Sequence, residues 1–567
     1  MNKLIIHSQN TILNSEEYFK SHEQFVFNID SDISDVDFYI HDQIINKDLG
    51  VKINQSDIIF IKVGLTQNFM EYYGIRLACH IRMTSSLKEK SCIPIVLISQ
   101  ETCQFLGITG ELSEILFTEG IYLMEDNPKE LNKYVKLFNE KKLKSLTNTD
   151  DFLFKMKVRT CSEYDSHHAI ANEWSVLRWS QILQIDQFDE SFLNIKQNIE
   201  GLLYYKYLSL KHPLAIETSS TDINLKGGGK VLYIDDEWKK GWDTIFKHIF
   251  SSNSGYSFKT FEYDFSDKEF YVGIPIIKSA IESFDPDIVI LDLRLFKEDF
   301  EKDRPPNDLS GFKILQEIKK KNAGIQVVIL TASNKVWNFQ KLKLAGADHF
   351  IIKNSPENII ISDSASDSIK NFKKSIEKAS EKAFIKNLIL FCKKISVFLQ
   401  GANYVENPEY EFLIKSLKNQ LKVCVSALTL IDLERPVTID ISFLSFYNFL
   451  ELFKKYYLKY SYTDNEYQIG FEKETMYEYK LKENKLIKGN RLIKETSSFD
   501  PGLPFFLVPL FIDYFEIDDN SYSKSILVIN LSKIRNNYFH GTKKNFNIEE
   551  LQLITRIICE ACSKLKE

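Results

Sequence analysis

Val231-Leu232-Tyr233-Ile234-Asp235-Asp236-Glu237 is the stretch that decides the fold. Four apolar residues without a polar interruption suit a strand buried on both faces, as in a parallel sheet covered by helices. The run then ends in three acids. The pattern recurs downstream: Ile288-Val289-Ile290-Leu291 ends in Asp292, Val327-Val328-Ile329-Leu330 in Thr331-Ala332-Ser333, and His349-Phe350-Ile351-Ile352 in Lys353. Helix-patterned segments separate these strands, so a doubly wound α/β domain is expected. Ligands bind such sheets beyond the carboxyl ends of the strands. Asp235, Asp236, Asp292, Thr331 and Lys353 should therefore converge.

Clustered carboxylates repel one another unless a cation neutralises them, and hard oxygen ligands suit Mg²⁺. A carboxylate beside such an ion and a lysine can act as a nucleophile toward phosphorus, the two cations stabilising the transferring group. Thr331 can hydrogen-bond a phosphoryl oxygen.

This constellation, within residues 226–378, resembles the flavodoxin-like receiver domain of bacterial response regulators. The resemblance implies that Asp235 and Asp236 form, with Asp292, the Mg²⁺ site. It makes Asp292 the phosphoacceptor, Thr331 the switch hydroxyl and Lys353 the motif lysine. Gly311 resembles the glycine opening the next helix. A histidine kinase or phosphotransfer protein is the implied partner. Two features depart from the family. Residues 296–310 form a longer, charged segment with Pro305-Pro306, readable as a partner contact or as a tolerated surface insertion. Lys353 is followed by Asn354 instead of the usual proline.

Residues 1–147 show the same alternation with the chemistry removed. Ile58-Ile59-Phe60-Ile61 runs into Lys62-Val63-Gly64-Leu65, and the first strand ends in His7-Ser8-Gln9, with no acidic pair. Ile93-Pro94-Ile95-Val96-Leu97-Ile98 ends in Ser99, which keeps a hydroxyl. This region resembles a receiver without a phosphoacceptor, suited to dimerisation or partner docking; a different α/β fold is the alternative. Residues 148–225 read as a helical connector, with Trp174, Leu177, Trp179 and Ile182 on one face. Lys226-Gly227-Gly228-Gly229-Lys230 reads as a hinge. It is no P-loop, because the strand follows the glycines.

Residues 379–567 read as a helical bundle with a small β insertion, a hairpin over residues 466–493 turning at Gly489-Asn490. Their roughly 26 Lys plus Arg against roughly 24 Asp plus Glu disfavour duplex DNA, whose affinity depends on phosphate neutralisation. The apolar spacing of residues 525–534 suits a buried helix. It leads into Arg535-Asn536-Asn537-Tyr538-Phe539-His540, with Gly541 as C-cap; Asn547-Ile548-Glu549-Glu550-Leu551 opens a last helix.

Arg535-x4-His540, with Asn536 as its polar residue, resembles the signature of HEPN domains. The resemblance implies a homodimeric helical bundle that cleaves RNA without a metal, at a site shared across the dimer. In that chemistry the RNA 2′-hydroxyl attacks, leaving a 2′,3′-cyclic phosphate. His540 acts as general acid or base and Arg535 binds the scissile phosphate. On an ideal helix the two side chains lie about 140° apart, so a distorted helix end or a partner subunit must bring them together. The plain alternative is a salt-bridged Arg535 and a polar helix end at His540.

The chain has 567 residues, 44% hydrophobic, 13% aromatic and 26% charged. That length suggests about three to five domains, and the composition excludes a disordered chain. A net charge of −6 advertises no chain-wide basic field. With no apolar run of about 20 residues, no signal-peptide pattern and eight cysteines in so long a chain, a reduced, cytoplasmic protein without a membrane span is expected. Cys559-x2-Cys562 lacks a second pair and reads as packing. His167-His168 with Glu173 could look metal-like, but adjacent histidines diverge on a helix. The lysines at 319–321 and 393–394 read as solvated helix faces. The leading functional reading is a receiver-controlled endoribonuclease. The alternatives are a non-enzymatic signalling adaptor, whose helical domain binds a protein, and a transcription regulator with a hidden DNA-binding module.

Overall fold

The computed structural model describes residues 2–8, 22–29, 35–68, 71–159, 167–185, 190–213, 223–265, 268–300, 305–331, 336–353, 365–402, 408–463, 466–471, 479–482, 485–488, 491–495, 534–541, 545–563 and 565. The first sheet contains β1 (Lys3–His7), β2 (Glu23–Val26), β3 (Ile58–Lys62), β4 (Ile95–Ser99) and β5 (Ile121–Glu125). These pair in parallel in the order β2-β1-β3-β4-β5. The central strands carry uninterrupted apolar runs, Leu4–Ile6, Ile58–Ile61 and Ile95–Ile98, as strands covered by helices on both faces do. The edge strand β2 carries no such run and is half-exposed, which hid it from pattern reading. Helices α1 (Val36–Ile45) and α2 (Tyr73–Met83) flank this sheet.

Within residues 148–225, α3 (His167–Ile182), α4 (Glu190–Gly201) and α5 (Leu203–Lys211) pack together, α4 contacting both neighbours. The second sheet holds β6 (Gly229–Ile234), β7 (Tyr256–Thr260), β8 (Ile288–Leu291), β9 (Gln326–Thr331) and β10 (His349–Ile352). It is again parallel, in the order β7-β6-β8-β9-β10. Both sheets thus have the flavodoxin-like 2-1-3-4-5 order. Around the second lie α6 (Asp243–Ser251), α7 (Ser310–Lys321) and α8 (Ala365–Lys382).

One apolar core runs from Leu4 and Ile6 through Trp174 and Trp179 to Tyr233 and Phe372. Trp179 of α3 meets Trp242 edge-on at 5.2 Å and Phe372 of α8 at 5.6 Å. Gly241, at φ 97°, lets this turn approach Val176. The glycine run leading into β6 is packed. Gly228 lies against Gly255, and its N–H and carbonyl both bond Ser380 Oγ, at 2.8 and 2.6 Å.

Four helices, α9 (Phe384–Gly401), α10 (Pro408–Thr429), α11 (Val437–Tyr457) and α12 (Ile548–Ser563), close a ring in which each packs on two others. Cys559 and Cys562 belong to its core. Between α11 and α12 the expected hairpin is instead a five-stranded antiparallel meander: β11 (Leu458–Thr463), β12 (Glu466–Phe471), β13 (Tyr479–Lys482), β14 (Lys485–Lys488) and β15 (Arg491–Glu495). An isolated hairpin is marginal in water, and three or more strands are needed to hold one another. Gly489-Asn490 and residues 525–533 lie outside the described residues. Among the described residues no helix is long and apolar enough to cross a membrane.

Candidate functional site

At the carboxyl ends of the second sheet, β6 delivers Asp235, β8 delivers Asp292, β9 ends on Thr331 and β10 delivers Lys353. Asp235, Asp292 and Lys353 are fully buried. Lys353 Nζ donates to Asp235 Oδ2 at 3.1 Å and to Asp292 Oδ2 at 2.9 Å. Its backbone N–H bonds the Thr331 carbonyl at 2.7 Å. Asp235, Asp236 and Asp292 each place a carboxylate oxygen within 4.8 Å of the others. Asp235, Asp236, Asp292 and Lys353 thus meet around one small volume, with Thr331 at the end of the adjacent strand.

The charges there are unevenly held. Burial pushes Asp235 up, but Lys353, Tyr233 and the Glu237 N–H outweigh it and keep its carboxyl below the usual range. Burial lowers Lys353, yet Asp235 and Asp292 together hold its ammonium well above normal. Among the described residues Asp236 makes no bond to Lys353, whose charge offsets its surroundings only in part. Burial, then repulsion from Asp235 and Asp292, raise it to about 9, and its Oδ1 is buried with no hydrogen bond among the described residues. A hard divalent cation answers this donor set: it would let Asp236 ionise and satisfy the orphaned oxygen.

The loop after Asp292 is stapled from within. Asp299 accepts from the N–H groups of Leu295, Phe296 and Ser310 at 2.9, 3.2 and 2.9 Å, and from the Ser310 hydroxyl. The described part of residues 296–310 is therefore an ordered frame for the acceptor. Gly311 has a steric reason: a Cβ there would collide with the Asp292 carbonyl oxygen and Leu293 Cα. Ser333 and Asn354 lie outside the described residues. The sequence reading also missed Trp242, whose ring lies 5.7 Å from Lys353 Nζ and whose Nε1 donates to Asn172 Oδ1 at 2.5 Å.

Strand register carries these positions onto the first sheet. Ile234 pairs with Leu291, as Ile6 pairs with Ile61. His7 and Ser8 therefore stand where Asp235 and Asp236 do, and Lys62 stands at the acceptor position. Ser99 pairs with Glu125 as Thr331 pairs with Ile352, so Asp126 corresponds to Lys353. The Gly74 N–H bonds the Val63 carbonyl at 2.9 Å, and that of Gly311 bonds Leu293 at 3.1 Å. A Cβ on Gly74 would strike the Lys62 carbonyl oxygen. The acid–lysine pair survives in the first domain with its signs exchanged: Lys62 Nζ lies 3.4 Å from Asp126 Oδ2. A lysine at the acceptor position offers no carboxylate for phosphorylation.

In the C-terminal bundle a short helix over 534–539 ends before His540. Gly541 takes φ 74°, as a C-cap glycine does. Arg535 Nη1 donates to Asn536 Oδ1 at 3.1 Å. Its guanidinium lies 4.6 Å from the Phe539 ring and 5.4 Å from Tyr447, and Nη2 is 3.8 Å from Glu451. His540 is exposed. The structure thus joins Arg535 to Asn536; among the described residues no hydrogen bond links Arg535 to His540. Glu173 is taken by Tyr205, whose hydroxyl donates to it at 3.0 Å. Lys319 corrects the expectation of a solvated face: it bonds the Ile325 carbonyl at 2.6 Å and Asp348 at 2.7 Å.

Residues 8–124 match the family model described as inactive receiver domain. No curated protein is significantly similar in sequence. Similar solved structures include NtrX from Brucella abortus, at 18% identity and TM-score 0.20 over 36% of this chain and 40% of that one. The receiver domain of the same protein is 22% identical, with TM-score 0.18 over 26% and 98%. A putative response regulator from Chloroflexus aurantiacus is 14% identical, with TM-score 0.18 over 26% and 97%. The chain spans less than half of the full NtrX structure.

Proposed function

We propose that the chain is a phosphorylation-dependent signalling protein of the response-regulator type. A charge-exchanged receiver precedes an active one, which controls a HEPN-like endoribonuclease. The observation that carries the first part is the buried cluster of Asp235, Asp236 and Asp292 tied by Lys353. An Asp292 carboxylate oxygen attacks the phosphorus of a phosphohistidine or small phosphodonor. A P–O bond forms to Asp292 while the bond to the leaving group breaks. Asp235, Asp236 and Asp292 would hold a Mg²⁺ ion, which would supply charge neutralisation for that transfer. Lys353 exchanges its bond to Asp292 for one to a phosphoryl oxygen, and the Thr331 hydroxyl donates to another.

Movement of Lys353 alters its contact with Trp242, and through Trp242 the packing of Trp179 in the connector. Coupling onward to a dimer of the C-terminal bundle completes the proposal, with Arg535, Asn536 and His540 acting on RNA. The partners are a histidine kinase or phosphotransfer protein, RNA and a second copy of the chain. The engagement of Arg535 by Glu451 and two aromatic rings favours a second reading, in which the bundle is a non-enzymatic docking module.

The test is incubation with acetyl phosphate and Mg²⁺, read by intact mass. One phosphoryl group should add to the wild type and none to Asp292→Asn. A labelled single-stranded RNA assay with wild type and His540→Ala separates the outputs. Cleavage lost in the variant supports the nuclease; no cleavage by phosphorylated wild type leaves the docking module.

A further inference from the structure

A cavity of about 440 Å³ lies at the seam between the first domain and the connector. His41 and Thr84 line it from one side, and Arg178, Lys196, Glu200 and Lys206 from the other. Lys206 is almost wholly buried, yet among the described residues its Nζ donates to neutral acceptors alone: Thr84 Oγ1 at 3.0 Å and His80 Nδ1 at 3.2 Å. Asp37, beyond His80, is already committed to Arg76, whose Nε and Nη2 lie 2.6 and 3.0 Å from it. Arg178 is equally buried. It stacks 4.3 Å from the Trp174 ring, and its Nη2 donates to the His212 carbonyl at 2.6 Å. Among the described residues neither cation makes an ion pair with a carboxylate. Lys196 and Glu200 pair at the rim, 3.8 Å apart.

Burying a cation without a direct ion pair is unfavourable, and here two face one cavity, with Asp37 and Glu200 acting on Lys206 only from a distance. Burial pushes Lys206 down to about 7 and Arg178 to about 10, shifts that a bound anion would reverse. Two cations call for a dianion, and a phosphate monoester carries nearly two charges at neutral pH. Met83, Leu177 and Ile199 supply apolar wall for an uncharged portion. The volume lies within the range of about 300–1,000 Å³ common for small-molecule sites. We infer that this cavity binds a small phosphate monoester of about nucleoside-monophosphate size, bridging Thr84 of the first domain to Arg178 and Lys206 of the connector. Occupancy would tie the charge-exchanged receiver to the helices that touch the second one.

The test is calorimetric titration of the full chain with AMP, inorganic phosphate, adenosine and acetate. AMP should bind once per chain; adenosine and acetate should not. Lys206→Met should abolish AMP binding. Lys196→Gln, on the exposed rim and harmless to folding, should weaken it by about tenfold, the equivalent of one modest charge contact. Asp292→Asn and Arg535→Gln should leave affinity unchanged, which separates this site from the acidic cluster and the C-terminal bundle. Absence of AMP binding, unchanged affinity in Lys196→Gln, or loss in Arg535→Gln would overturn the inference. Equal affinity for phosphate and AMP would overturn the apolar subsite.

Discussion

The exchanged ion pair of the first domain can be exchanged back. Lys62→Asp leaves two carboxylates facing each other where a pair now stands at 3.4 Å. At an effective dielectric constant of about 20, the lost attraction is about 5 kcal/mol. Lys62 is 15% exposed and Asp126 3%, so solvent screens part of this, and about 3 kcal/mol is the expected cost, at the low end for a broken buried pair. Asp126→Lys should cost the same by the mirror argument. The double variant restores an acid on β3 and a lysine after β5, the arrangement that the second domain holds between Asp292 and Lys353 at 2.9 Å. With the pair restored it should recover about 6 kcal/mol relative to the sum of the singles, returning close to wild type. Native-state amide exchange along β3 and β4, in the full chain, reads these local opening free energies directly. If the double variant equals the sum of the singles within about 0.5 kcal/mol, the two positions do not interact and the correspondence between the domains fails as an energetic statement.

Lys353→Met leaves Asp235 and Asp292 buried without their cation. It should cost about 3–5 kcal/mol, with Mg²⁺ restoring more thermal stability to the variant than it adds to wild type. His80 is lowered to about 4 by burial, then by Lys206, against an ordinary 6.5 in the unfolded chain. Its contribution is thus present above pH 6.5 and lost as pH falls toward about 4, up to about 3 kcal/mol; amide exchange in α2 should show this, and His80→Gln should flatten it. Gly311→Ala and Gly74→Ala each force a helix away from the strand end that it overhangs. Both should destabilise their domain by about 3 kcal/mol or more, read from denaturation midpoints, and Gly311→Ala should also slow phosphoryl uptake.

Much of this was legible in residue order because the determinants are local. An apolar run that ends in an acid marks both the strand and the end that carries chemistry, so Asp235, Asp292 and Lys353 could be named before any coordinates. The missing acids at His7, Ser8 and Lys62 could be read the same way. The edge strand β2 and the meander strand β11 were not, because a half-exposed edge has no buried run and β11 follows directly on an amphipathic helix.

What the sequence settles by itself, then, is which residues stand at strand ends and which of them carry charge. What only the tertiary structure decides is which of those charges meet. Lys62 and Asp126 are 64 positions apart in the sequence, and parallel register alone makes them the counterpart of Asp292 and Lys353. Asp236 becomes the unpaired acid only because Lys353 reaches its two neighbours instead. Nothing in residue order marks Lys206 and Arg178; the connector's folding against the first domain removes them from water without giving either a direct ion pair among the described residues. Chain order fixes the chemical groups, but distance and desolvation set their energies, and both arise only on folding.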